Sequence, residues 1–129
     1  MSKYARIKLK AEVSSNSDYD SPYIDLPQWI ETLTPDEAIY LNPVEAALTP
    51  GTALPTTHLT AATLLAVRNL DATNYVTLTW RSAGNGSTDN IVRIQPGDLF
   101  VTQDITYSTA PTLVANTAVC DCEVLILGT

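Results

Sequence analysis

Residues 4–13 alternate apolar and charged positions, with Ala5, Ile7, Leu9, Ala11 and Val13 set against Arg6, Lys8, Lys10 and Glu12. A period of two puts each set on its own face of an extended chain, which predicts a half-buried strand. From about residue 62 short runs of the same kind recur, at 63–70, 75–81, 90–95, 98–103, 112–115 and 119–127. In 75–81, Val76, Leu78 and Trp80 take the inward positions, while Tyr75, Thr77, Thr79 and Arg81 face out. Ser82-Ala83-Gly84-Asn85-Gly86-Ser87 has the composition of a hairpin tip. Pro96-Gly97 has that of a tight reversal, because proline presets φ and glycine accepts a positive one. Strands at near-regular spacing with turns between them predict an all-β fold, a β-sandwich or jelly roll.

The segment 14–60 differs. It carries six of the eight prolines and no Lys or Arg, so long regular strands are not expected there. Thr34-Pro35-Asp36-Glu37 and Asn42-Pro43-Val44-Glu45 each place a capping residue, then a proline, then a glutamate two residues later. That order suits the first turn of a helix, so one or two single helical turns are expected near 35–48. The 129 residues are enough for one domain with its own core, and a single sandwich spanning 1–129 is the expectation, with 14–60 as an extended part of it.

Charge then narrows the function classes. Fourteen acidic residues against seven basic give a formal charge of −7, a surface that repels phosphate backbones. No apolar run is long enough for a membrane helix, and Met1-Ser2-Lys3-Tyr4-Ala5-Arg6 lacks the apolar stretch of a secretory leader. Neither nucleic acid nor membrane is an expected partner, and synthesis in a cytosol is. Cys120 and Cys122, on one face of a strand, read as reduced core residues.

Catalytic chemistry has few residues to use. His58 is the single histidine and lies in a Pro/Thr-rich stretch without a nucleophile-elbow motif, so it reads as a surface or packing residue. Zinc would need His58, Cys120 and Cys122 to converge without paired ligand spacings. Asp18, Asp20 and Asp25 could approach a calcium ion, but they lack the glycine-centred loop of an EF-hand and read as a solvated acidic loop. No catalytic residue, metal or cofactor is therefore expected.

Two asymmetries point to contact with other molecules. Lys3, Arg6, Lys8 and Lys10 crowd the first strand, whereas residues 11–67 hold eight acidic residues and no basic one. Lysines on such a strand guard an exposed edge, or dock it on an acidic neighbour. Tyr19, Tyr23, Trp29 and Tyr40 gather in the proline-rich segment, where they either cover one end of the core or anchor an interface or a sugar.

Arg68-Asn69-Leu70-Asp71-Ala72-Thr73-Asn74-Tyr75-Val76-Thr77-Leu78, followed by Ile94-Gln95-Pro96-Gly97-Asp98, resembles the small β-sandwich virion proteins of tailed bacteriophages over roughly residues 62–128. The resemblance implies a virion subunit without catalytic residues. A capsid decoration or cement protein on the head is the first expectation and a tail or adaptor subunit the second, with capsid or tail proteins and further copies of the chain as partners. A carbohydrate- or receptor-binding module, with the aromatic residues as its platform, is the alternative of another class. If the basic strand docks, replacing Lys8 and Lys10 together by Glu should cut incorporation into an assembled particle while leaving the melting temperature nearly unchanged; equal loss of both would refute docking.

Overall fold

The backbone amides of an alternating strand must find partners on neighbouring strands. The computed structural model describes residues 5–9, 12–13, 24–25, 29–33, 37–56, 59–82, 88–105 and 109–129; before residue 38, side-chain surroundings are described for Arg6 alone. The described residues are all-β, without a helix, and the ladders are antiparallel. The chain groups into two compact units, Met1–Pro35 and Asp36–Thr129.

In the first unit, β1 (Ala5–Leu9) pairs with β4 (Trp29–Leu33), and β2 (Glu12–Val13) pairs with β3 (Ile24–Asp25). The alternating run at 4–13 thus serves two separate ladders.

The second unit contains β5 (Glu37–Ala46), β6 (Thr52–Ala53), β7 (Ala62–Asn69), β8 (Val76–Arg81), β9 (Asp89–Ile94), β10 (Leu99–Thr102), β11 (Thr112–Ala115) and β12 (Cys120–Gly128). From β7 onward each strand end falls within one residue of its sequence-based position. Two four-stranded sheets result, ordered β10-β7-β12-β5 and β6-β11-β8-β9. The pairings nest, with β5 on β12, β6 on β11, β7 on β10 and β8 on β9. They describe one long hairpin folded over on itself, and the ladders β7 to β12 and β8 to β11 lock it into the connectivity of a jelly roll. Residues 83–87, expected at a hairpin tip between β8 and β9, lie outside the described residues.

The inner faces form one core. Leu65 and Val67 of β7, Val124 and Ile126 of β12, Val76 and Leu78 of β8 and Leu113 of β11 are fully buried in it. Each such side chain contributes about 2 kcal/mol by leaving water. Cys120 and Cys122 are free thiols on the same inner face of β12. Trp80 of β8 packs on Phe100 of β10 with ring centroids 4.9 Å apart, and its indole N–H donates to the Asp104 carbonyl at 3.0 Å.

The helical turns expected near 35–48 are not formed where the chain is described. Glu37–Ala46 is one strand, registered on β12 from Glu37 opposite Gly128 to Ala46 opposite Cys120. The register shifts between Cys122, opposite Val44, and Val124, opposite Leu41, so Asn42 and Pro43 together face the single residue Glu123. That is a β-bulge on an edge strand, one of the few places where a sheet tolerates a residue without an N–H. Leu48 to Gly51 closes as a turn, the Gly51 N–H donating to the Leu48 carbonyl at 2.8 Å. A proline-glutamate capping pattern is worth about 1 kcal/mol, less than the ladder and core burial that β5 gains.

The Pro96-Gly97 turn is present, closed by the Asp98 N–H on the Gln95 carbonyl at 3.0 Å with Gly97 at φ 78°. It passes the chain from β9 in one sheet to β10 in the other. Asn69, fully buried at the end of β7, ties this corner together. Its backbone N–H donates to the Asp98 carbonyl at 3.0 Å and its carbonyl accepts from the Gly97 N–H at 3.0 Å. Its side-chain amide donates to the Asn74 carbonyl at 2.8 Å and the Ile94 carbonyl at 3.1 Å, and its Oδ1 accepts from the Asp71 N–H at 3.0 Å. Asn69→Ala would strip three polar groups of their partners, and urea unfolding should show a loss of about 2–4 kcal/mol with an unchanged m-value; a loss below about 0.5 kcal/mol would show that the corner does not depend on this amide.

Candidate functional site

The residues singled out for an interface fall in different places. Arg6 and Lys8 lie on β1, Arg6 exposed, and the register sets Arg6 opposite Thr32, Lys8 opposite Ile30 and Leu9 opposite Trp29. The ladder thus brings Arg6, Lys8 and Trp29 together along the backbone. Lys3, Lys10, Tyr19 and Tyr23 lie outside the described residues, as do Asp18, Asp20 and His58; Asp25 is on β3 opposite Glu12.

Tyr40 belongs to the second unit and is 58% exposed on β5. Its hydroxyl donates to the Glu123 carboxylate and accepts from the Asn42 amide at 3.2 Å. The bond to Glu123 holds the phenol proton and raises the Tyr40 pKa above its ordinary value.

Cross-strand register explains what surrounds Tyr40, since directly opposed residues share a face. On the outer side of the β10-β7-β12-β5 sheet, Val101, Ala66, Leu125 and Tyr40 form one row across the strands. Leu99, Arg68 and Glu123 form the next. Leu99 is 63% and Val101 44% exposed. Tyr40, Ala66, Arg68, Leu99, Glu123 and Leu125 line a shallow cavity of about 270 Å³. At the far end of this face Leu64 and Leu127, also register partners, are buried although they are not part of the inter-sheet cluster. The open part of the face is therefore the half that carries Arg68 and Glu123.

Sequence reasoning found Tyr40 and missed the rest. A usable signal was present: Leu99-Phe100-Val101 and Val124-Leu125-Ile126-Leu127 are apolar without alternation, which means apolar side chains on both faces of the strand.

A second cavity, of about 610 Å³, is bordered by Pro43, Glu45, Leu70, Asp71, Val119 and Asp121. Asp71 is committed to its own loop, its Oδ1 accepting from the Thr73 N–H at 2.7 Å and the Asn74 N–H at 2.6 Å. Those backbone bonds, Asn74 first, hold its carboxyl below the usual carboxylate range. Among the described residues no group of three or more His, Cys, Asp or Glu side chains is placed to hold a metal ion. Burial pushes the Cys122 thiol up to about 12, with Cys120, Asp121 and Asp71 adding to it, and raises Cys120 as well. Both thiols keep their protons at neutral pH, where only a thiolate would attack or ligate.

No protein-family model, curated protein or solved structure matches the chain.

Because the Asp71 pKa is depressed in the fold, its stabilisation is complete above the unfolded value of about 3.9 and is lost as the pH falls through the lower folded value. Asp71→Asn keeps an acceptor for the same backbone N–H groups but cannot titrate. Melting temperatures taken from about pH 6 down to about pH 2 should fall more steeply for the native chain than for Asp71→Asn; parallel curves would exclude Asp71 from the acid transition.

Proposed function

We propose that the chain is a non-enzymatic structural subunit that docks on other proteins of a larger assembly, and that the assembly is the virion of a tailed bacteriophage, with the chain as a capsid decoration subunit. The docking element is the open face of the β10-β7-β12-β5 sheet. The observation that carries this reading is the exposure of Tyr40, Leu99 and Val101 around one shallow groove, on a sheet whose other face is already core. Contiguous apolar side chains held on a rigid platform mark contact surfaces, because covering them gains about 25 cal/mol per Å² and costs little conformational entropy.

The virion assignment draws support from the two motifs of the phage resemblance. Arg68-Asn69-Leu70-Asp71 and Pro96-Gly97-Asp98 are hydrogen-bonded to each other through Asn69, so the pattern describes one structural corner. Jelly-roll connectivity is used by viral structural domains and by lectins, and it carries no function by itself. A tail or adaptor subunit would use the same face. The basic β1 adds a second contact for an acidic neighbour.

The lectin-like reading is favoured by Tyr40, an exposed aromatic beside Glu123 and Arg68. Its hydroxyl is already committed to Glu123 and Asn42, and Ala66, Leu99 and Leu125 make half of the groove lining aliphatic, so protein contact is the better use of this surface.

Leu99→Asp changes an exposed position of an edge strand and should shift stability by no more than about 0.5 kcal/mol. In particles purified from cells that encode the chain, the variant should be retained at least about tenfold less than the native protein, as expected when a charge is forced into an apolar contact. Undiminished retention would refute docking through this face, and absence of the native chain from every particle would refute the virion assignment.

A further inference from the structure

We infer that the open face of the β10-β7-β12-β5 sheet binds a second copy of the chain, back to back, about a two-fold axis lying in the interface and running along the strands between β7 and β12. The inference rests on the reading of this face as a contact surface and names its occupant.

The argument is the internal symmetry of the patch. Neighbouring strands are about 4.8 Å apart, so a two-fold axis between β7 and β12 exchanges these two strands, and exchanges β10 with β5, without moving any residue along the strand direction. Register partners on β7 and β12 are thereby placed opposite each other across the interface. Arg68 is opposite Glu123 in its own sheet, and Ala66 is opposite Leu125. In the pair of copies, Arg68 of each faces Glu123 of the other, and the small Ala66 receives the larger Leu125. Val101 and Tyr40, at the two ends of the same row, meet in the same way.

Charge complementarity at the groove is the second argument for this occupant. With a formal charge of −7, two copies repel over most of their surface. The groove itself is lined by one cation and one anion, Arg68 and Glu123, with Asp121 and Glu45 in the next row outside it. Among the described residues Arg68 has no ion-pair partner: Glu123, its register neighbour, bonds the Tyr40 hydroxyl, and the ion pair formed is Arg81 with Asp89 at 3.0 Å. An exposed guanidinium without a carboxylate, on an apolar groove next to an accessible carboxylate, is satisfied by the swapped geometry twice per dimer. Aligned sheets pack face to face within about 30° of each other, which the twist of these sheets permits. The open area is modest beside the about 800 Å² per partner of a standard interface, so micromolar association is expected, strengthened when copies are arrayed on one surface.

Sedimentation velocity on the full chain across micromolar concentrations tests this. The native protein should pass from the mass of one chain to that of two. Arg68→Glu and Glu123→Arg, each alone, should weaken association about ten- to hundredfold, because like charges then face each other at both symmetric contacts. An equimolar mixture of the two variants should recover association as a heterodimer, since both contacts again pair Arg with Glu. Rescue on mixing cannot arise from a change inside one chain. A native protein that stays single throughout, single reversals that associate like the native chain, or a mixture no better than its components would each overturn the inference. A monomeric chain whose Leu99→Asp variant is still lost from particles would overturn the self-contact and leave docking standing. A dimer whose Leu99→Asp variant is fully retained in particles would support self-contact and remove docking on other proteins.

Discussion

A side-chain amide withdrawn from water loses several kcal/mol unless both its N–H groups and its oxygen find partners, and Asn69 meets that demand at a corner where the chain passes between the two sheets. The partners of its side chain and its backbone together belong to three different stretches: the loop after β7 and the end of β9 for the side chain, and the turn into β10 for the backbone. None of these can shift without stranding a buried polar group. Face to face, the two sheets otherwise meet mainly through apolar burial, which is insensitive to direction and would tolerate small slips of one sheet on the other. Hydrogen bonds at Asn69 supply the direction. Asp71 extends the same network, fixing the loop that follows and giving it a dependence on the carboxylate charge.

Once that corner sets where β10 enters, the rest of its sheet follows. β10 must lie along β7, β7 along β12, and β12 along β5, and the register of each pair decides which residues appear on the outer face. The bulge at Asn42-Pro43 lets β5 cross both halves of β12 with its apolar positions still turned inward, Ile39 and Leu41 on one side of it and Val44 and Ala46 on the other. Without the extra residue, one half of β5 would be turned inside out. The bulge also leaves Tyr40 on the outer face beside Glu123, so an irregularity needed by the core helps to build the surface proposed here for assembly.

Local patterns and long-range pairing contributed differently to the individual elements. The strands from β7 to β12 could be read from alternation and from Pro-Gly and Gly-rich turns, because both depend on neighbouring residues only. Asn42-Pro43-Val44-Glu45 was misread as a helical turn because its residues satisfy a helix N-terminus and a strand bulge equally well, and the ladder with β12, distant in sequence, makes the choice. At the candidate site, Tyr40 was singled out with the other aromatics of the proline-rich segment as either a core cover or an interface anchor, whereas Leu99, Ala66 and Leu125 looked like ordinary strand residues. Their membership of one groove exists only through the registers of β10 on β7 and β7 on β12.

By itself, the sequence determined that this chain would be built of β-strands, which positions along them would be apolar, where the tight turns would fall and that most of its surface would be acidic. These are properties of period two, of proline and glycine φ preferences and of charge count, and none requires knowing which strand lies beside which. The tertiary structure alone decided the nested pairing of the strands, the fate of Pro43 as a bulge, the meeting of Asn69 with the Pro96-Gly97 turn and the row that joins Val101 to Tyr40. The physical reason is that cross-strand register is set by the summed burial and hydrogen bonding of whole ladders, a quantity shared between distant segments and absent from any one of them.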